Sequence, residues 1–280
     1  MDECTHDCSG CSANCASREA PADLKAPMNP DSKIKNVVAV VSGKGGVGKS
    51  LVTALLACQM QRRTKRSAVL DADITGPSAP RLLGLGDCQA EADERGLLPL
   101  SAPGGVKVMS INLLLPDKTS PVIWRGPVVS GVVRQFWSDV VWGEVDWMFV
   151  DMPPGTGDVP LTVFQSLPIR GIVIVTSPQE LVGMIVEKAV NMAEMMKVPV
   201  LGVVENMSYF ECPDCGKQHA IFGESHVGSI AAKHGITNIA RIPIDPAVSA
   251  ACDAGEIASV KAPWLEGFVE KLVSDGRMER

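Results

Sequence analysis

Aromatic residues are scarce, at 4% of the chain with a single Tyr. A platform that stacks successive bases needs aromatic faces, so single-stranded nucleic acid is a poor fit. Positive charge is not in excess either: the net charge is -6, whereas binding through phosphates needs a basic face. No apolar run reaches the length of a bilayer span, and the acidic, polar N-terminus has no apolar core of a secretory leader. The expectation is a cytoplasmic protein in a reducing compartment, with neither nucleic acid nor membrane as partner. A chain of 280 residues suffices for one large α/β domain or two small ones, burying about three-quarters of its unfolded surface.

Cysteine, by contrast, is abundant, with nine in the chain. Cys4, Cys8, Cys11 and Cys15 form Cys-x3-Cys-x2-Cys-x3-Cys near the start, and Cys212 and Cys215 form a late Cys-x-x-Cys. Cys58, Cys88 and Cys252 stand singly; Cys58 is expected in the core, and the other two have no assigned role. In a reducing compartment clustered thiols signal metal or redox chemistry more often than structural disulfides.

Residues 1–35 read as a Cys-rich extension and linker, because Pro21, Pro27 and Pro30 interrupt regular pairing. Residues 36–280 read as the folded domain. It opens on Val37–Val41, a continuous apolar run of the kind a strand buried on both faces requires. Further runs ("SAVLDAD", "DWMFVDMPPG", "GIVIVTS", "VPVLGVVEN", "NIARIPI") alternate with helical stretches. That rhythm predicts a three-layer α/β sandwich with a mostly parallel central sheet. "LLPLSAPGGVKVMSIN" is expected to add a hairpin or edge strands, and the amphipathic "PWLEGFVEKLVSDGRMER" to pack on the sheet.

Gly43-Lys44-Gly45-Gly46-Val47-Gly48-Lys49-Ser50 fits G-x-x-x-x-G-K-[ST] between that strand and a helix. The glycines let backbone N–H groups turn in around phosphate oxygens, and the helix N-terminus adds partial positive charge. Lys49 is placed to reach the outer phosphates and Ser50 to hold Mg²⁺. Asp71 and Asp73 close one strand and Asp151 another, with Gly155 and Gly157 in the loop that follows. Ligands of open α/β sheets bind at these carboxyl ends. By position Asp151 resembles a Walker B residue holding Mg²⁺, Asp73 resembles a switch I aspartate orienting the attacking water, and Asp71 supports the loop.

Lys44, after the first Gly, resembles the deviant P-loop of the MinD/nitrogenase-reductase branch of NTPases. With "SGKGGVGKS", "DADITGPS", "WRGP" (Trp124–Pro127), "DMPPGTGD", "ENMSYFECPDCG" and "IPIDPAV", the chain resembles the Mrp/ApbC family of iron–sulfur cluster carrier ATPases over residues 36–260. The resemblance implies a homodimer with ATP in each subunit and Lys44 reaching the partner's nucleotide. It also implies a 4Fe–4S cluster delivered to apo iron–sulfur proteins alongside cluster-assembly factors. Asn206 is implied as an adenine contact, with the Pro243–Asp245 loop flanking the base. The family has Thr after the P-loop Ser, on the α-phosphate; this chain has Leu51.

Thiolate-held centres want about four ligands, and Cys212 with Cys215 supplies two. In the family the twin subunit supplies the others. Three further readings stay open: an intrachain zinc site with Cys8 and Cys11, a dithiol redox switch, and His219 as a zinc ligand. The N-terminal cysteines are read as a second iron–sulfur site, with zinc as the alternative. Cys4–Cys11 also matches a radical-enzyme spacing, although no barrel pattern follows it. Two other functions remain in view, a MinD/ParA-like positioning ATPase and a nitrogenase-reductase-like electron donor.

Overall fold

A computed structural model of the chain describes residues 25–275, apart from 75, 77, 116–125, 156–157 and 179–181. Cys4, Cys8, Cys11 and Cys15, together with Trp124, Arg125 and Gly157 of the motifs above, lie outside the described residues.

Val37–Val41 lies within β1 (Lys33–Val41), which leads through the Gly-rich loop into α1 (Lys49–Arg62). β2 (Ser67–Asp71) and α2 (Ala79–Leu82) follow. Next come a small hairpin of β3 (Ala92–Asp93) and β4 (Gly96–Leu97), then β5 (Leu100–Ser101) and β6 (Lys107–Met109). The middle of the chain forms α3 (Gly126–Ser138), β7 (Glu144–Asp151), α4 (Asp158–Ser166), β8 (Gly171–Thr176) and α5 (Val182–Met195). β9 (Val200–Glu205) precedes a second hairpin, β10 (Phe210–Glu211) with β11 (Gln218–His219). α6 (Val227–Lys233), β12 (Ile239–Arg241), α7 (Pro246–Ala254) and α8 (Glu266–Ser274) complete the order.

Eight strands form one sheet in the order β12-β9-β8-β1-β7-β2-β6-β5. Its pairings are parallel except β5 with β6, the hairpin expected from "LLPLSAPGGVKVMSIN". Side chains along β1 alternate between two cores. Val37, Ala39 and Val41 face α3, α4, α5 and α6, while Val38 and Val40 face α1, α7 and α8. A strand covered on both faces has no use for polar side chains, which is why the run reads as unbroken apolar sequence. Each fully buried Val or Leu contributes about 1.5–3 kcal/mol. Phe268, Val269 and Leu272 of α8 are buried in the second core, so the apolar stripe of the C-terminal helix is used within the fold. Among the described residues, no helix is long and apolar enough to cross a membrane.

The chain joins this body earlier than its proline-rich composition implies. Ala26 donates its N–H to Ser166 O at 2.8 Å and accepts from Trp137 Nε1 at 3.1 Å. Asn29 reaches Arg95 O, and Ser32 Oγ accepts from Trp142 N at 2.9 Å. Proline blocks ladder pairing, but it does not prevent single carbonyls and side chains from finding partners across the surface.

Candidate functional site

Adjacent strands bring the phosphate motif and the acidic residues together. β1 ends in the Gly-rich loop, and its neighbour β7 ends at Asp151, level with Val40 on one side and with Asp71 of β2 on the other. Helix α1 starts from Gly48, whose φ of 81° is in the left-handed region open to glycine. A Cβ there would also lie 2.2 Å from Asn206 Nδ2. Gly45 and Gly46 border open space, and no backbone carbonyl among the described residues accepts from the N–H groups of Gly45 to Lys49. Backbone donors without a carbonyl partner beside open space suit an anion.

Lys49 is buried, with Nζ 2.6 Å from Asp151 Oδ1 and 3.6 Å from Asp73 Oδ2. Thr53 Oγ1 donates to the same Asp151 oxygen at 3.2 Å, and the Ser50 hydroxyl also bonds this carboxylate. Asp151 Oδ2 is buried without a partner among the described residues. An ionised oxygen held beside a hydroxyl at the mouth of a phosphate loop fits a hard cation such as Mg²⁺. Asp71 is fully buried. Burial, and then the charge of Asp151, push its carboxyl well above the usual carboxylate range. Burial raises Asp151 as well, while Lys49 and Ser50 pull it back. Two neighbouring carboxyls do not both ionise cheaply, and of the two it is Asp151 that Lys49 pairs with. Asp71 Oδ1 accepts from Asp73 N at 3.2 Å, tying the two ends of the turn after β2.

Lys44 is half-buried beside the exposed Gly45 and Gly46. Leu51 packs its side chain against the core under α1. Asn206 has a role that its position alone did not reveal: its Nδ2 donates to Val47 O at 3.0 Å, tying the end of β9 to the phosphate loop. Pro243 and Asp245 lie between β12 and α7, where Asp245 caps the helix by accepting from Ala247 N at 2.8 Å. Helices α4 and α7 are not among the elements that the apolar runs announce. The Pro246 start and Gly255 stop of α7 were available as signals.

Cys212 and Cys215 sit on the turn of the β10–β11 hairpin. Cys212 N donates to Lys217 O and Gly216 N to Cys212 O, a tight knuckle. The backbone N–H groups of Cys215 and Asp214, then the Cys215 thiol, hold the Cys212 thiol below its ordinary pKa. That is the arrangement a thiolate ligand wants. Among the described residues no group of three or more His, Cys, Asp or Glu side chains gathers for a metal, so His219, on β11 across from Phe210, does not make a third ligand there. The hairpin walls a cleft of about 660 Å³ against Pro243–Pro246 and Pro263–Trp264. Of the single cysteines, Cys58 is in the core, where burial pushes its thiol up to about 11. Cys88 is exposed and Cys252 half-buried.

Residues 33–272 match the family described as NUBPL iron-transfer P-loop NTPase. The iron-sulfur cluster carrier protein of Methanocaldococcus jannaschii is 46% identical over 261 residues, covering 91% of this chain and 90% of that one. A nucleotide-binding protein of Archaeoglobus fulgidus, solved in complex with ADP, is 45% identical with a TM-score of 0.77, covering 84% of this chain and 92% of that one. The cell-division ATPase MinD of Pyrococcus furiosus shares the fold at 18% identity and a TM-score of 0.59, covering 85% of this chain and 98% of that one.

Proposed function

The chain belongs to the NUBPL iron-transfer P-loop NTPases, and from that premise we propose that it carries an iron–sulfur cluster to apo-proteins under the control of ATP. The observation that carries the reading is the Cys212–Cys215 knuckle. It sets the Cys212 thiol, held below its ordinary pKa, beside the thiol of Cys215, on a hairpin that grows from the same strand end as Asn206, the brace of the phosphate loop. A soft thiol pair at a hairpin turn, Cys215 exposed and Cys212 half-buried, suits a transferable iron–sulfur cargo better than a closed structural metal. Two ligands out of about four call for a second copy of the chain, placing the pair on a two-fold axis where each residue meets itself. The cargo is then one 4Fe–4S cluster between two subunits.

For the nucleotide, Gly43–Ser50 supplies N–H donors and Lys49 leaves Asp151 for the outer phosphates. Ser50 and Asp151 would hold Mg²⁺, which would supply positive charge on the phosphate oxygens. Asp73 positions the water that attacks the terminal phosphate. Lys44 reaches the partner's nucleotide across the dimer. Asn206 and the Pro243–Asp245 loop flank the base.

Anaerobic loading with iron and sulfide tests the reading. Intact chain should hold a cluster that Cys212→Ser with Cys215→Ser abolishes at this site, with ATP affinity unchanged because no phosphate-loop group is touched. An unchanged iron content, or one zinc in its place, would overturn the assignment.

A further inference from the structure

The segment from Glu205 to Cys212 joins the phosphate loop to the thiolate pair. At its start Asn206 holds Val47 O, and at its end Cys212 opens the knuckle. Between them Met207 has φ 56°, the left-handed region that a non-glycine residue adopts only when its surroundings impose it. The imposing contacts come from the β12 strand end. Ser208 N donates to Ile242 O, Ile242 N to Glu205 O and Ile244 N to Tyr209 O, and Phe210 bridges Ile244.

Side chains add a directed chain of bonds. Arg241 Nε donates to Ser208 Oγ at 2.7 Å, and Ser208 Oγ donates to Glu205 Oε2 at 2.5 Å. The Arg241 guanidinium also lies 5.6 Å from the Tyr209 ring centroid, within cation–π range. Glu205 is wholly buried, its Oε1 has no partner among the described residues, and the Arg241 guanidinium is 3.7 Å from Oε2. A buried carboxylate satisfied on one oxygen only is costly to keep. Its arrangement is therefore sensitive to small shifts of the strand ends that carry Asn206 and Pro243.

We propose that Arg241, Ser208 and Glu205 form a latch that positions the Cys212 knuckle according to the state of the phosphate loop. They are positioning residues and touch neither nucleotide nor cargo. Movement of Val47 and its loop on binding phosphate is passed by Asn206 to the strained Met207. The latch decides how far that movement reaches Tyr209 and Cys212. The inference rests on the carrier reading for its purpose, although the coupling itself is a property of the cluster-free chain.

The test uses the full-length, cluster-free, reduced protein and follows alkylation of Cys212 by iodoacetamide with and without Mg-ATP. In the parent, saturating Mg-ATP should change the Cys212 rate by about five-fold or more, the usual scale of coupled sites. In Arg241→Ala and Ser208→Ala that change should fall below about two-fold with ATP affinity held close to the parent, while both variants melt lower because the buried Glu205 loses a partner. Arg241→Lys, which keeps the charge but not the planar fork, should restore part of it. Should Arg241→Ala fail to fold, Ser208→Ala, which deletes a single hydroxyl, decides. The latch is overturned if the parent rate ignores Mg-ATP, if both variants keep the full response, or if they lose it only by losing ATP affinity. Iron loading of the same preparations is scored separately. A chain that loads no iron but shows the coupled thiol keeps the latch and sinks the carrier reading.

Discussion

Lys49 and Asp151 are each other's main compensation, and that decides what a change at either will do. Lys49→Ala removes the cation from the outer phosphates and also leaves a fully buried carboxylate unpaired. ATP binding should fall below detection, and stability should drop by on the order of 3 kcal/mol. Adding Asp151→Asn should recover the melting temperature without recovering ATP binding, as calorimetry and a nucleotide titration would show. Recovery of both would mean that the lysine acts only on the carboxylate. Leu51→Thr is the complementary case. Leu51 is half-buried against the core, so shortening it costs some packing, while the new hydroxyl adds a bond to an anionic oxygen. ATP should bind more tightly by about 1.5 kcal/mol, roughly ten-fold. Unchanged affinity would mean that the α-phosphate is already satisfied by its neighbours.

Elements were legible where a local pattern forces them and opaque where a distant contact does. β1, β7, β8 and β9 are buried on both faces, and their apolar runs announce it. The phosphate loop was legible as well, because its chemistry is carried by spacing. The Glu205–Ser208–Arg241 chain was not, since it needs β9 and β12 side by side, and nor was the Asn206 brace, which needs the end of β9 beside the loop that follows β1, two strands away; the sequence displays neither. Asp71 and Asp151 look alike at the ends of their strands. Their difference comes from which of them faces Lys49. The N-terminal edge of the sheet shows the same long-range logic. Arg66, and after it Lys35, hold the Asp146 carboxyl well below the usual carboxylate range, and Asp146 Oδ2 also accepts from Arg66 N at 2.9 Å. A carboxylate with a depressed folded pKa stabilises above its unfolded pKa of about 3.9 and loses that contribution as pH falls toward the folded value. Asp146→Asn should lower the melting temperature by about 2–4 °C at pH 7, allowing for solvent screening of a surface pair. The gap to the parent should shrink steadily below about pH 4. A gap independent of pH would assign Asp146 a packing role alone.

For the whole molecule, an iron count tests what each of the two cysteine groups holds. A 4Fe–4S cluster shared between two chains through Cys212 and Cys215 contributes about two irons per chain. A separate cluster on Cys4, Cys8, Cys11 and Cys15, as proposed from the sequence, would contribute about four more, because a single chain would supply its four thiolates. Intact protein should therefore approach about six irons per chain after anaerobic reconstitution, and a chain beginning at Lys25 should hold about two. The starting point matters physically. Ala26, Asn29 and Ser32 bond to α3 and α4, to the β3–β4 turn and to the segment between α3 and β7, so a chain beginning at Lys25 keeps these contacts and should melt with the parent. A chain beginning at Lys33 loses all three. It should melt several degrees lower, since each buried group left unpaired costs about 1–3 kcal/mol, yet it should still hold about two irons. An intrachain zinc site built from Cys8, Cys11, Cys212 and Cys215 leads to the opposite pattern. About one zinc per chain would be lost in full either by starting at Lys25 or by Cys212→Ser with Cys215→Ser. Metal analysis of these three chains and the double serine variant, each with its melting curve, separates a shared cargo from a private structural metal. Equal loss from truncation and from the double variant would remove the cluster from the dimer axis, and the carrier function with it.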